Sequence, residues 1–106
     1  MDITTTETLP GRRITSVKGV AVGSTVRSKN IGKDIGAGLK SLVGGELKSY
    51  SDMLTEARAE ALSRMEAQAV ELGADALVNL RFMTSSVASG ASEILAYATA
   101  VTTEPS

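Results

Sequence analysis

Apolar residues recur along this chain with two different periods, and the change from one to the other marks out its elements. From Ile14 to Val26 the chain reads Ile-Thr-Ser-Val-Lys-Gly-Val-Ala-Val-Gly-Ser-Thr-Val, rich in β-branched residues. Side chains alternate across a strand, so Ile14, Val20, Val22 and Val26 fall on one face, and Val17, Gly19, Ala21 and Gly23 on the other. The Gly/Ala face leaves room for a helix to lie close. Ahead of it, Ile-Thr-Thr-Thr at 3–6 predicts a short first strand, and Pro10-Gly11 a turn.

Residues 51–72 switch to the helical period. With Leu54 at zero and 100° per residue, Ala57, Ala61, Met65, Ala69 and Leu72 all lie within about 60° of it. Asp52, Glu56, Glu60, Arg64, Glu66 and Glu71 lie on the far side. The spacing predicts a long amphipathic helix, capped by Ser49 or Ser51 and closed by Gly73 at the position that favours left-handed backbone. Arg58 and Gln68 break the stripe, each about 40° from its centre. A guanidinium there snorkels to the edge or meets a carboxylate; an ion pair, within or between subunits, is the expectation, with a ligand contact as the other reading. Between strand and helix, Ile31, Ile35, Leu39 and Leu42/Val43 also hold helical spacing. Gly32, Gly36 and Gly38 each weaken a helix there by about 1 kcal/mol. A short helix or helical loop over 31–43 is expected, ended by Gly44-Gly45.

Alternation returns over 76–87, where Val78, Leu80 and Phe82 alternate with Asn79, Arg81 and Met83, and over 93–102. In that last strand Ile94, Ala96, Ala98 and Ala100 share one face, and Leu95, Tyr97, Thr99 and Val101 the other. Residues 88–92 suit the turn of an antiparallel hairpin. The order is β-β-α-α-β-β: one α+β domain over 1–106, with a mostly antiparallel sheet and the long amphipathic helix packed on one face. Both faces of the last strand are largely apolar. A helix covers only one of them, so a neighbouring copy is expected on the other.

Composition sharpens this picture. A chain of 106 residues makes one domain and buries roughly 65% of its unfolded surface. Only Tyr50, Phe82 and Tyr97 are aromatic, so the core is built from small residues and gains from being shared. The net charge of −1 gives no electrostatic case for nucleic acid or an anionic membrane. Its distribution is uneven. Residues 27–48 carry Arg27, Lys29, Lys33, Lys40 and Lys48 against Asp34 and Glu46, whereas 51–72 carry five acidic residues against Arg58 and Arg64. The two segments are either ordinary solvated faces or partners for each other. The start of the chain has no basic flank and apolar core of a signal peptide, and no apolar run nears the ~20 residues of a membrane span. A cytoplasmic protein is the expectation.

The chain has no cysteine and no histidine. Thiolate and imidazole chemistry, disulfides and soft-metal sites built on those ligands are thereby excluded. Gly36-Ala37-Gly38 and Gly44-Gly45-Glu46 lack the Gly-Lys-Ser/Thr of a phosphate loop. Lys29, Asn30 and Lys33 beside free glycine amides leave a weaker anion site or a solvated loop. Ser85-Ser86 and the threonines at 4–6 have no activating base, and the helix carboxylates at 52, 56 and 60 form a normal solvent face. No catalytic residue, metal ligand or cofactor is indicated. Arg27, Lys29 and Arg58, if brought to Tyr50 in one pocket, would be the means of holding an anion.

Several segments together carry a resemblance. They are Ile-Thr-Thr-Thr-Glu-Thr-Leu-Pro-Gly at 3–11, Gly-Ser-Thr-Val-Arg at 23–27, Gly-Gly-Glu-Leu-Lys-Ser-Tyr at 44–50 and Leu-Thr-Glu-Ala-Arg at 54–58. Leu-Gly-Ala-Asp-Ala-Leu-Val at 72–78 and Glu-Ile-Leu-Ala-Tyr-Ala-Thr-Ala-Val at 93–101 complete it. Over nearly its whole length the chain resembles the YbjQ-like family of small bacterial proteins, whose label is heavy-metal binding. The resemblance implies a curved antiparallel sheet and assembly into a ring, typically a pentamer. It draws attention to Gly44, Gly45, Glu46 and Arg58, which fall in family segments. The leading expectation is a non-enzymatic homo-oligomeric binding or scaffold protein with any ligand at subunit boundaries. The alternatives are metal binding through oxygen ligands such as Asp34, Glu46 or Glu93, and an enzyme acting on a small anionic substrate.

Overall fold

A computed structural model describes residues 1–28 and 45–106, with side chains of its helix described from Lys48 onward. The elements are β1 (Asp2–Ile3), β2 (Arg12–Ser28), α1 (Gly45–Glu71), β3 (Ala76–Ala88) and β4 (Ala91–Pro105). The helix expected over 31–43 lies outside the described residues. The strands make one open sheet in the order β1-β3-β4-β2. β4 is antiparallel to both neighbours, but β1 runs parallel to β3, so the sheet is mixed.

β1 is shorter than the run 3–6, although the chain stays bonded to β3: the Thr4 amide donates to the Leu77 carbonyl, and the Leu80 and Asn79 amides donate to the Thr4 and Thr6 carbonyls. The Thr6 amide donates to Thr4 Oγ1 at 3.1 Å, and the Thr6 hydroxyl to the Thr8 carbonyl at 2.6 Å. The turn at Pro10-Gly11 closes with the Arg12 amide on the Leu9 carbonyl, Gly11 taking φ +77° as a type II turn requires.

α1 begins earlier than the apolar stripe alone predicts. Gly45 lies in its first turn, and Ser49 and Ser51 lie inside it instead of capping it. Its other end is as expected. Gly73 has φ +80°, its amide donates to the Val70 carbonyl, and the Ala74 amide donates to Ala69, closing a Schellman motif.

The helix buries the row Ala57, Ala61, Met65 and Ala69 against Ala21, Leu77, Ile94, Ala96, Ala98 and Ala100. Most of this cluster is alanine, so the layers sit close and backbone-to-backbone distance matters more than side-chain bulk. A second cluster (Ala76, Val78 and Val101, with Leu9 and Ile14 against it) covers one end of the opposite face.

Two bulges reassign faces that simple alternation had set. The pairs Val17↔Val101 and Gly19↔Ala100 make Lys18 the extra residue, so Val17 joins Val20 and Val22 instead of Ala21 and Gly23. In β3 the register jumps from Val78 to Arg81, with Asn79 at φ 57°. Val78 therefore faces away from the helix, while Leu80 and Phe82 stay on its side. The alternation in β4 holds as read.

A polar knot joins the chain's later turns. Asp75 accepts the Thr103 amide at 3.1 Å and the Thr103 hydroxyl at 3.0 Å, and Arg12 Nε donates to the same hydroxyl at 2.7 Å. The Thr103 amide, chiefly, holds the Asp75 carboxyl below its ordinary value of 3.8, with the hydroxyl and Arg12 adding to it against a desolvation penalty. A depressed folded value means stability that is present above the unfolded value and lost as the pH falls through the folded one. The destabilisation of Asp75→Ala relative to the wild type, followed by thermal melts, is expected to be full at pH 6 and to shrink below about pH 4.

Candidate functional site

Among the described residues, three charged side chains converge where α1 crosses the outer part of β2. Glu60 takes Arg27 of β2 on one carboxylate oxygen and Arg64 of its own helix on the other. Arg64 also donates through Nη1 to the Ser24 carbonyl at 2.6 Å. One turn further on, Gln68 Oε1 accepts the Val22 amide. The helix runs this close because Gly23, between those two positions, has no side chain: a Cβ there would stand 2.1 Å from the Ala61 carbonyl oxygen and 2.3 Å from the Met65 nitrogen.

This knot absorbs Arg27, which the sequence offered as an anion ligand. The opposed charge segments do meet here, through Arg27 and Glu60. All three charges are partly exposed, so the bridge contributes little. Glu60→Gln is expected to lower stability by about 1 kcal/mol in dilute buffer and by less at high salt, as read by urea denaturation.

Within the chain, Arg58 forms no ion pair among the described residues. It is exposed, and Nη2 donates to Thr55 Oγ1 of the same helix at 3.1 Å. The buried row follows the i+4 ridge and precesses by about 40° per step. At the level of residues 57 and 58 the contact is centred on Ala57, and Arg58, about 100° further round, points away. Gln68, equally displaced on paper, instead reaches the strand.

Tyr50 is half-buried ten residues ahead of Glu60, about 15 Å along the helix axis. Arg27 meets α1 at Glu60, about 160° round the axis from Arg58. The structure therefore does not gather Arg27, Arg58 and Tyr50 into one site. Gly45 and Glu46 form the first turn of α1, with the Glu46 side chain outside the described set, and Lys29 and Gly44 lie outside the described residues altogether. The residues that do converge, Glu60, Arg64 and Gln68, were not singled out as a group. The i,i+4 spacing of all three was the available signal.

The other feature is apolar. On the sheet face away from α1, cross-strand registers stack Val20, Thr99 and Val78, then Val22, Tyr97 and Arg81, then Ser24, Leu95 and Met83. Val20 is 62% exposed, Val22 40%, Val26 58% and Met83 56%. Arg81 places a cation beside Tyr97 on this face, its Nη1 donating to the carbonyls of Thr5 and Leu80.

Among the described residues no three acidic side chains stand close enough to hold a metal ion. Nor is any helix among them long and apolar enough to cross a membrane.

A family model described as "Putative heavy-metal-binding" matches residues 1–104. The chain is 57% identical over 101 residues to a UPF0145 protein of Vibrio campbellii, covering 95% of this chain and 97% of the other. It is 59% identical over 99 residues to one from Archaeoglobus fulgidus, covering 93% and 92%, and 58% identical over 101 residues to one from Methanosarcina acetivorans, covering 95% of each. These relatives reach beyond bacteria into archaea. A crystal structure of a protein of unknown function from Pediococcus pentosaceus, of the DUF74 family, superposes with a TM-score of 0.66 at 18% identity, covering 98% of each chain. That likeness concerns the fold.

Proposed function

The chain belongs to the YbjQ family, as the match over residues 1–104 shows, and from that premise we propose that it works as a non-enzymatic homo-oligomeric binding protein. The observation that carries the reading is the uncovered sheet face. Val20, Val22, Val26, Met83, Leu95 and Tyr97 form a continuous apolar surface that no described element covers, α1 lying on the other side. A second copy is the occupant that makes a thin alanine core sufficient, since the shared contact adds the burial that small side chains lack. Any ligand is held where copies meet, with Arg81 and Tyr97 supplying polar contacts inside an apolar boundary. The number of copies expected from the resemblance is five.

Heavy-metal binding, the family's label, does not fit the donors present. Soft ions select thiolate or imidazole, and the chain has neither. Binding by carboxylates would need at least Glu46 or Asp34 brought to Glu93. An anionic-substrate enzyme loses its basis in the separation of Arg27 from Arg58.

Light scattering and native mass spectrometry at micromolar concentration test the proposal. A mass of several chains is expected; a monomer would overturn it.

A further inference from the structure

We infer that Gln68 and Arg64 act as a stop on strand addition, closing the outer edge of β2 to a strand from a second copy. Among the described residues β2 is the outermost strand of the sheet, and no described strand pairs with its outward main-chain groups. The stretch Val20-Ala21-Val22-Gly23-Ser24-Thr25-Val26 is uncharged, free of proline and rich in β-branched residues. A free edge of that composition is the kind that templates sheet extension. At its centre two of the four outward groups of Val22 and Ser24 are already occupied from the side: the Val22 amide by Gln68 Oε1 and the Ser24 carbonyl by Arg64 Nη1.

The arrangement has three supports that are independent of one another. Main-chain groups of Val22 and Ser24 point the same way, being two residues apart, and the helical i,i+4 spacing of Arg64 and Gln68 matches that separation. Glu60 fixes Arg64 from one further turn back. Gly23 lets the helix backbone come near enough for both side chains to reach. An incoming strand would have to displace both bonds and lift the helix. The open sheet face is a different surface, so this inference stands or falls separately from the oligomer.

The experiment compares Gln68→Ala, Arg64→Ala and the double variant with the wild type and with Glu71→Ala, a matched substitution on the exposed side of α1. Sheet extension is read by thioflavin fluorescence and by sedimentation. The double variant is expected to keep its helical circular dichroism yet form thioflavin-binding species larger than the wild-type assembly, growing with concentration. Glu71→Ala is expected to behave as the wild type. Amide exchange of Val22 provides a second reading on folded protein: protected in the wild type, and about tenfold faster in Gln68→Ala. A folded double variant with wild-type size and no thioflavin signal would overturn the inference. So would a Val22 amide in the wild type that exchanges as an open one, even if the double variant fails to fold.

Discussion

Gly23→Ala is expected to lower folding stability by about 3 kcal/mol or more, a larger effect than a methyl group at Gly11, Gly19 or Gly73. The position has ordinary strand backbone, so the loss does not come from φ. It comes from space. The added carbon would stand 2.1 Å from the Ala61 carbonyl oxygen and 2.3 Å from the Met65 nitrogen, both main-chain atoms of α1 that cannot rotate away. Only retreat of the whole helix relieves the clash. Retreat unpacks Ala57, Ala61, Met65 and Ala69 from the sheet together, because they lie on one row. Gly73→Ala is the contrast: nothing stands within 4 Å of its added carbon, but φ is +80°, so a cost of about 1 kcal/mol is expected from backbone strain alone. Urea denaturation of both variants measures the difference. A Gly23→Ala loss no larger than that of Gly73→Ala would mean that the helix does not rest on β2 in this way.

That contrast also shows what the sequence made legible. The Gly/Ala face of β2 announced a close helix, and the four-residue row of small side chains on α1 announced the other half of the contact. The apolar and alanine faces of β4 were equally plain, because no bulge interrupts the pattern from Ile94 to Ala100. Where the reading failed, an extra residue or a precession was the cause. Lys18 shifts the parity of β2 and carries Val17 to the open face, and Asn79 does the same to Val78. A bulge depends on cross-strand register, which no local pattern records. Arg58 lies off the helix–sheet contact because the buried row follows the i+4 ridge and not an average helix face. The partners of Glu60 were hidden for a different reason: Arg27 lies far off in sequence, and only the antiparallel run of α1 over β2 brings them together.

Leu95→Glu/Tyr97→Glu is expected to convert the assembled protein to single, folded chains. Both residues lie on β4 but face away from α1, and each is only half-buried in the single chain, so neither is needed for the helix-facing cluster. Charge placed there is solvated in the monomer. In an assembly it would be buried, and opposed by the same charge on neighbouring copies, at a cost of several kcal/mol per contact. Ala96→Glu, one residue between them, is the sharper control. Ala96 is fully buried under α1, where a carboxylate has no partner, so that variant is expected to unfold instead of dissociating. Adjacent positions on one strand should thus give opposite failures, loss of assembly with helix intact and loss of helix. Native mass spectrometry and circular dichroism separate them. If the double variant keeps the wild-type mass, the open face is not where copies meet, and the proposal that this protein works through that face is wrong.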